Sequence, residues 1–350
     1  MGIFTTVSRL IRELNRMRSS DGRPDMRQLF LHMRDIEIMK LNMKNLGYQL
    51  GHTMQPYLDN IECADQPARW NLVSKACTQG DVESPWFRYW CKELKIAPFY
   101  HRKLWEFAFL LQSLYDQDFL VPGKSGIGFG CGEEPLASYF ASNGIDVLVT
   151  DLELERVRGA GWVETGQHTS SLESSYHSEL CSRELFNRHV RHDYVDMNAI
   201  PSDYHGGFDF CWSVCAMEHL GSIRQGLDFV DNSLKVLKPG GIAIHTTEYN
   251  YLSSESTVDN MPTVLFLRRH FEELAQRLNR SGHLCFGPSF EIGNGVLDRF
   301  IDLPPYALGE GLIRKEQWSE VNQLAHLKLA IEGYACTCFG ILVRKGNLAG

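Results

Sequence analysis

Gly126-Ile127-Gly128-Phe129-Gly130-Cys131-Gly132, continued by Glu133-Glu134-Pro135-Leu136 and closed by Asp151, is the stretch whose reading decides the fold. It predicts strand, glycine turn, helix and strand, ending on an acid. Pro135 suits the first turn of a helix, where a missing N–H breaks no intrahelical bond. Leu136, Tyr139 and Phe140 fall on one helical face, and Asn143-Gly144 stops the helix. Ile145-Asp146-Val147-Leu148-Val149-Thr150 is β-branched and apolar, as a buried parallel strand requires. Backbone without Cβ atoms lets a ligand come close, and an acid after the second strand can accept from two ribose hydroxyls. The stretch therefore predicts a nucleotide-type pocket.

Outward from this stretch, strands and helices alternate. Strands are predicted near 124–129, 145–150, 192–196, 208–214 and 242–247, with two more near 296–302 and 335–344. Helices are predicted over 222–237 and 268–281, and Lys238-Pro239-Gly240-Gly241 is a tight turn between helix and strand. The alternation predicts an α/β, doubly wound, mainly parallel seven-stranded sheet of Rossmann-like type, its last strand antiparallel. Residues 101–350 form this domain, with a polar, glycine-broken insertion at 152–188 of the length that active-site loops reach. Residues 1–100 read as a helical N-terminal cap. Within it, residues 3–17 repeat Ile, Phe, Val and Leu at helical spacing. That helix has the form of a membrane-surface helix, though docking against its own protein is the simpler reading. A second helical run covers 26–50 and ends at Gly51, and His101-Arg102-Lys103 opens a third. Residues 86–105 are the most aromatic part of the chain; they fit a core, and in the alternative a lid or acceptor wall.

Composition narrows the function. Among 350 residues, 43% are hydrophobic and 22% charged, ordinary values for a globular chain. A net charge of −8 lacks the basic face that nucleic acid demands. Ten cysteines occur without any C-x-x-C, and Cys336 and Cys338 sit in an apolar strand-like run, so no metal site is predicted. Such scattered cysteines suit a reducing cytosol. With no apolar run long enough to span a membrane and no signal peptide in view, a cytoplasmic location is expected.

The glycines also say which nucleotide. A dinucleotide fingerprint needs G-x-G-x-x-G. Starting at 126, 128 or 130 puts Cys131, Glu133 or Pro135 in the last place. Glu133 and Glu134 stand where a pyrophosphate would meet the helix N-terminus, and would repel it. A phosphate-free ligand with a positive centre fits better, and an NAD(P)-dependent oxidoreductase becomes the rival reading.

S-adenosylmethionine is such a ligand, and residues 101–345 resemble a class I S-adenosylmethionine-dependent methyltransferase. Gly130-Cys131-Gly132 is similar to the family's glycine turn, with Asp151 at the place of its ribose-binding acid. Asp196-Met197-Asn198-Ala199-Ile200-Pro201 resembles the segment that meets the adenine ring. Phe208 through Leu220 resembles the fourth strand with the segment after it, and Leu237 through Gly241 the turn before the fifth. The resemblance implies a donor site made of Gly128, Gly130, Cys131, Gly132, Asp151, Leu152, Asp196, Met197, Trp212 and Ser213. Where the family often carries an acid two residues before its first turn glycine, this chain has Gly128. Glu133 or Glu134 is expected to supply the missing negative charge. A finer likeness is to bacterial members that accompany polysaccharide biosynthesis, which implies a sugar or glycan intermediate as acceptor.

Methyl transfer to oxygen benefits from a base, and ligands in such sheets collect past the C-terminal strand ends. Glu218, His219 and Glu248 follow the fourth and fifth strands, and His168 lies in the insertion. These four are the catalytic candidates. Trp162, Glu164, Gln167, Tyr249 and Asn250 are the expected acceptor contacts. His245, inside the fifth strand, reads as a satisfied core histidine. A non-catalytic S-adenosylmethionine-binding module is the third reading.

Overall fold

The computed structural model describes residues 25–152, 172–304 and 325–347, with positions 18, 22, 23 and 306. Its chain order begins with α1 (Met26–Asp59), β1 (Lys75–Ala76), α2 (Pro85–Glu93) and α3 (Arg102–Asp116). The glycine stretch comes next as β2 (Ser125–Phe129), α4 (Leu136–Ser142) and β3 (Asp146–Asp151). Then come α5 (Arg183–His189), β4 (Val190–Tyr194), β5 (Phe208–Val214), α6 (Ile223–Ser233) and β6 (Leu237–Asn250). The chain closes with α7 (Arg268–Arg280), β7 (Leu284–Cys285) and β8 (Tyr334–Arg344).

The main sheet runs in the order β1-β8-β6-β5-β2-β3-β4. Strands β4, β3, β2, β5 and β6 pair in parallel, and β8 runs antiparallel to both β6 and β1. The doubly wound sheet with an antiparallel final strand is as the sequence predicts. The order reverses between β2 and β5, so a crevice opens beyond their C-terminal ends, where such sheets bind ligands.

Two layers of apolar side chains flank the sheet. On one face Trp90, Trp105, Phe109 and Phe140 pack against Phe210, Trp212, Ile242 and Ile244. On the other, Phe229, Val230, Phe271 and Leu274 pack against Ile127, Cys211, Ala243 and Ile341. Alternation along β6 thus sends even-numbered residues toward α3 and odd-numbered ones toward α6 and α7. His245 faces the second layer, fully buried between Ser213 Oγ at 2.8 Å and Ser233 Oγ at 2.9 Å. Burial lowers its pKa to about 3, which keeps it a neutral core residue, as expected.

Several local expectations are corrected. The run near 296–302 is a short helix, Val296–Arg299, and the place beside β8 is taken by Lys75–Ala76 and Leu284–Cys285. Helix α1 does not stop at Gly51 but runs through it and through Pro56 to Asp59. The aromatics of 86–105 are core: Trp86, Phe87, Trp90, Tyr100 and Trp105 are all buried, and Trp105 Nε1 donates to Asp81. None of these aromatics borders the described clefts. The amphipathic segment 3–17 lies outside the described residues, as does 153–171 of the insertion. No helix among the described residues is long and apolar enough to cross a membrane.

Gly128 shows how closely the sheet and its helices fit. A Cβ there would stand 2.3 Å from both Trp212 Cζ2 and Cys131 Sγ. Gly128→Ala is therefore expected to destabilise the fold by about 1–3 kcal/mol through overpacking, read as a lower midpoint in urea unfolding without a change in slope.

Candidate functional site

The turn after β2 is held by left-handed glycines, Gly130 at φ +62° and Gly132 at φ +53°. Either would be strained with a side chain. A Cβ on Gly130 would also meet Ala216 Cβ at 2.8 Å. The turn so made opens a cleft of about 160 Å³ lined by Gly130, Asp151, Leu152, Val195, Asp196, Met197, Asn198, Cys215, Ala216, His219 and Leu220. Asp151 closes β3 and takes the Leu152 N–H at 2.8 Å; Asp196 lies just past β4 and takes the Asn198 N–H at 2.9 Å. These residues fit an adenosyl group. Two carboxylates stand at the strand ends to accept from hydroxyl and amino groups, and Met197 and Leu220 offer apolar surface to a ring. Among the described residues no lysine or arginine lines the cleft, which does not suit a phosphate.

The paired glutamates of the turn part company. Glu133 is exposed, and among the described residues its backbone carbonyl meets His177 Nε2 at 3.1 Å. Glu134 turns inward to accept from Trp212 Nε1 at 3.3 Å. Burial pushes its carboxyl well above the ordinary range, against the pull of Lys103. A cation placed beside Glu134 would restore its charge. Gly128 and Trp212 pack against each other beneath the turn, Cys131 is buried with them, and none of the three lines the cleft. Ser213 is one residue out of phase: it faces the opposite side of the sheet and bonds His245.

Beyond the cleft, β5 and β6 end in a buried ionic cluster. Glu248 Oε1 lies 2.5 Å from Arg102 Nη1, the first residue of α3. The same nitrogen is 3.0 Å from Cys338 Sγ, 3.3 Å from Cys215 Sγ and 3.6 Å from Glu106 Oε1. Glu106, fully buried, also takes Thr246 Oγ1 at 2.5 Å, Cys338 Sγ at 3.1 Å and Lys103 Nζ at 3.4 Å. Burial opposes its charge, but Lys103 and Arg102 outweigh burial and hold it below the ordinary value. Glu218 takes Thr247 Oγ1 at 3.0 Å, and its ligand oxygen, that of Glu248 and the Cys215 sulfur lie within 4.8 Å of one another. Burial first, and then the other carboxylates, push Glu218 and Glu248 up to about 7. Arg102 alone does not offset that push for Glu248, whose Oε2 is buried with no hydrogen-bond partner among the described residues. Burial and mutual repulsion thus hold both carboxyls above the ordinary carboxylate range.

The structure therefore brings together Glu218, His219 and Glu248 from the sequence-derived candidates. His219 lines the cleft; its Nδ1 meets Pro262 O at 3.1 Å and its Nε2 stands 4.0 Å from Glu218 Oε1. Tyr249 does not join them. As an odd-numbered β6 residue it packs with Phe271 and Phe339 on the far face. Asn250 caps the strand end from within: it donates to Ser256 O and Thr257 Oγ1, and borders a separate groove beside α1. Trp162, Glu164, Gln167 and His168 lie outside the described residues. Sequence reasoning missed Arg102, Lys103, Glu106, Cys215 and Cys338. Only the helix-opening pair Arg102-Lys103 gave a local signal, and that signal spoke of a helix start.

A model of the methyltransferase-domain family matches residues 104–295. A ubiquinone biosynthesis O-methyltransferase of Psychrobacter cryohalolentis is 27% identical over 127 residues, which is 36% of this chain and 42% of that protein. The counterpart from Psychrobacter arcticus matches equally, so the match spans less than half the length of these curated relatives. Among solved structures, an S-adenosylmethionine-dependent methyltransferase from Mesorhizobium loti is similar at a TM-score of 0.35 and 12% identity, covering 67% of this chain and 98% of that one.

The two strand-end acids and the divided glutamates give a discriminating experiment. Asp151→Ala is expected to weaken S-adenosylhomocysteine binding roughly 10- to 100-fold, the worth of one or two hydrogen bonds to a charged group. Glu133→Gln, on the exposed side of the turn, is expected to leave it unchanged. Titration calorimetry reads both; equal losses would show that the cleft is not the donor site.

Proposed function

The chain belongs to the methyltransferase-domain family, and from that premise we propose that this S-adenosylmethionine-dependent methyltransferase methylates a hydroxyl, with Glu248, coupled to Glu218, as the proton acceptor. The observation that carries the reading is the dry carboxyl pair beside the cleft that Asp151 and Asp196 border. When bound, the donor supplies an electrophilic methyl carbon on a sulfonium. The acceptor oxygen forms its bond to that carbon as the carbon–sulfur bond breaks, and the bonding pair returns to sulfur. The hydroxyl proton passes to Glu248. An aliphatic hydroxyl is a poor nucleophile until its proton has somewhere to go, and a carboxylate with affinity near neutrality is matched to that task.

The acceptor we assign is a sugar or glycan-pathway intermediate. The described groups nearest the buried Glu248 carboxyl are charged or thiol: Arg102 at 2.5 Å, Cys215 at 4.0 Å, and Glu218. Those groups suit a hydroxyl-rich acceptor better than a long apolar one. The O-methyltransferase names of the curated relatives support oxygen as the acceptor atom. Their ubiquinone pathway argues for a phenolic ring, which is the second reading.

Glu248→Gln is expected to lower kcat by about 10²- to 10⁴-fold with little change in donor affinity. In the parent enzyme kcat should fall as pH drops through about 7, because Glu248 is then already protonated and cannot accept the hydroxyl proton. Release of S-adenosylhomocysteine across a panel of nucleotide-linked sugars and prenylated phenols decides the acceptor. Turnover confined to the phenols would sink the glycan assignment, and full turnover by Glu248→Gln would sink the base.

A further inference from the structure

We propose that Arg102 and Glu106 are positioning residues that set the proton affinity of Glu248, the guanidinium moving from Glu248 to Glu106 when Glu248 takes a proton. The proposal rests on the reading of Glu248 as proton acceptor, and it is read by a measurement that does not depend on turnover.

The geometry is that of one cation between two carboxylates. Arg102 Nη1 stands 2.5 Å from Glu248 Oε1 and 3.6 Å from Glu106 Oε1. Both acids are buried, so a guanidinium that lost its only partner there would be strongly disfavoured. A lone Arg102–Glu248 pair would make Glu248 refuse the proton that a base must accept. Glu106 supplies the alternative partner. It cannot move with Glu248, because Thr246 Oγ1 at 2.5 Å and Cys338 Sγ at 3.1 Å pin it. Thr246 and Glu248 share one face of β6, so α3 grips the strand at successive inward positions. The space between is walled by the sulfurs of Cys215 and Cys338, 3.6 Å apart. Burial raises both thiols, so they stay neutral and soft beside the cation rather than competing for it. Arg102 Nε is buried with no hydrogen-bond partner among the described residues, and the contacts described above are all made by Nη1.

The charged and titratable groups that face Glu248 come from three elements. Helix α3 contributes Arg102, Lys103 and Glu106; the segment after β5 contributes Cys215 and Glu218; β8 contributes Cys336 and Cys338. Arg102 and Lys103 favour the ionised form of Glu248, whereas Glu218 and Glu106 favour the protonated one. Substitutions at the two ends of the proposed exchange must therefore act with opposite sign.

The experiment is an infrared pH titration of the full chain, tracking the protonated-carboxyl stretch that Glu248→Gln deletes. Arg102→Met is expected to raise its midpoint by about one pH unit or more, and Glu106→Gln to lower it comparably. Arg102→Lys, which keeps the charge, should stay near the parent value. Shifts in the same direction, or no shift in either variant, would overturn the proposal. Should Arg102→Met fail to fold by circular dichroism, Glu106→Gln decides alone: a lowered midpoint supports the exchange, and an unchanged or raised one overturns it. Opposite shifts together with full turnover in Glu248→Gln would leave the coupling intact and remove the base.

Discussion

The contact between Arg102 and Glu248 governs how this molecule is put together around its site. Neither charge can be taken out of water alone, and Arg102 is shared between Glu248 and, farther off, Glu106. Meeting at 2.5 Å requires the N-terminus of α3 to sit over the C-terminal half of β6. That placement lays Trp105 and Phe109 on the sheet and draws α2 in behind them, with Trp90 reaching Gln112. The aromatic run before the glycine turn is therefore the packing that lets a helix carry two cations into the interior. Its energetic weight lies in apolar burial; its consequence is electrostatic.

The legible part of the sequence obeyed local rules. Left-handed glycines, a proline at a helix start, β-branched runs and acids after strands each leave a mark within a few residues. So the sheet, its winding and the acids that end β3 and follow β4 were legible. Parity within a strand was harder. Ser213 and Tyr249 stand beside Trp212 and Glu248 in sequence, yet a side-chain period of two sends them to the opposite layer. The short helix at Val296–Arg299 shows a different failure, since an apolar pair in four residues fits either conformation.

The cluster around Glu248 was invisible for a third reason. Its members come from residues 102–106, 215–218, 246–248 and 338, brought together by the insertion of β8 beside β6. No spacing rule applies across such distances. The absence of a C-x-x-C said nothing about two thiols that meet from positions 215 and 338. A polar network built from four separate segments is legible only once the register of β8 against β6, Cys338 opposite Glu248, is known.

That register also bears on how the chain is made. Strand β8 is synthesised after every other strand of the sheet, yet it lies between β6 and the early β1, and Cys338 O holds the Cys77 N–H at 2.8 Å. Until residues 334–344 leave the ribosome, β6 has a bare edge, β1 has no partner strand in the sheet, and Glu106 lacks the Cys338 thiol. Contacts of this sequence separation form late and slowly. A nascent chain therefore carries its donor turn, its strand-end acids and its buried glutamates well before it can close around them. The interval leaves apolar strand edges open to other chains until β8 closes them.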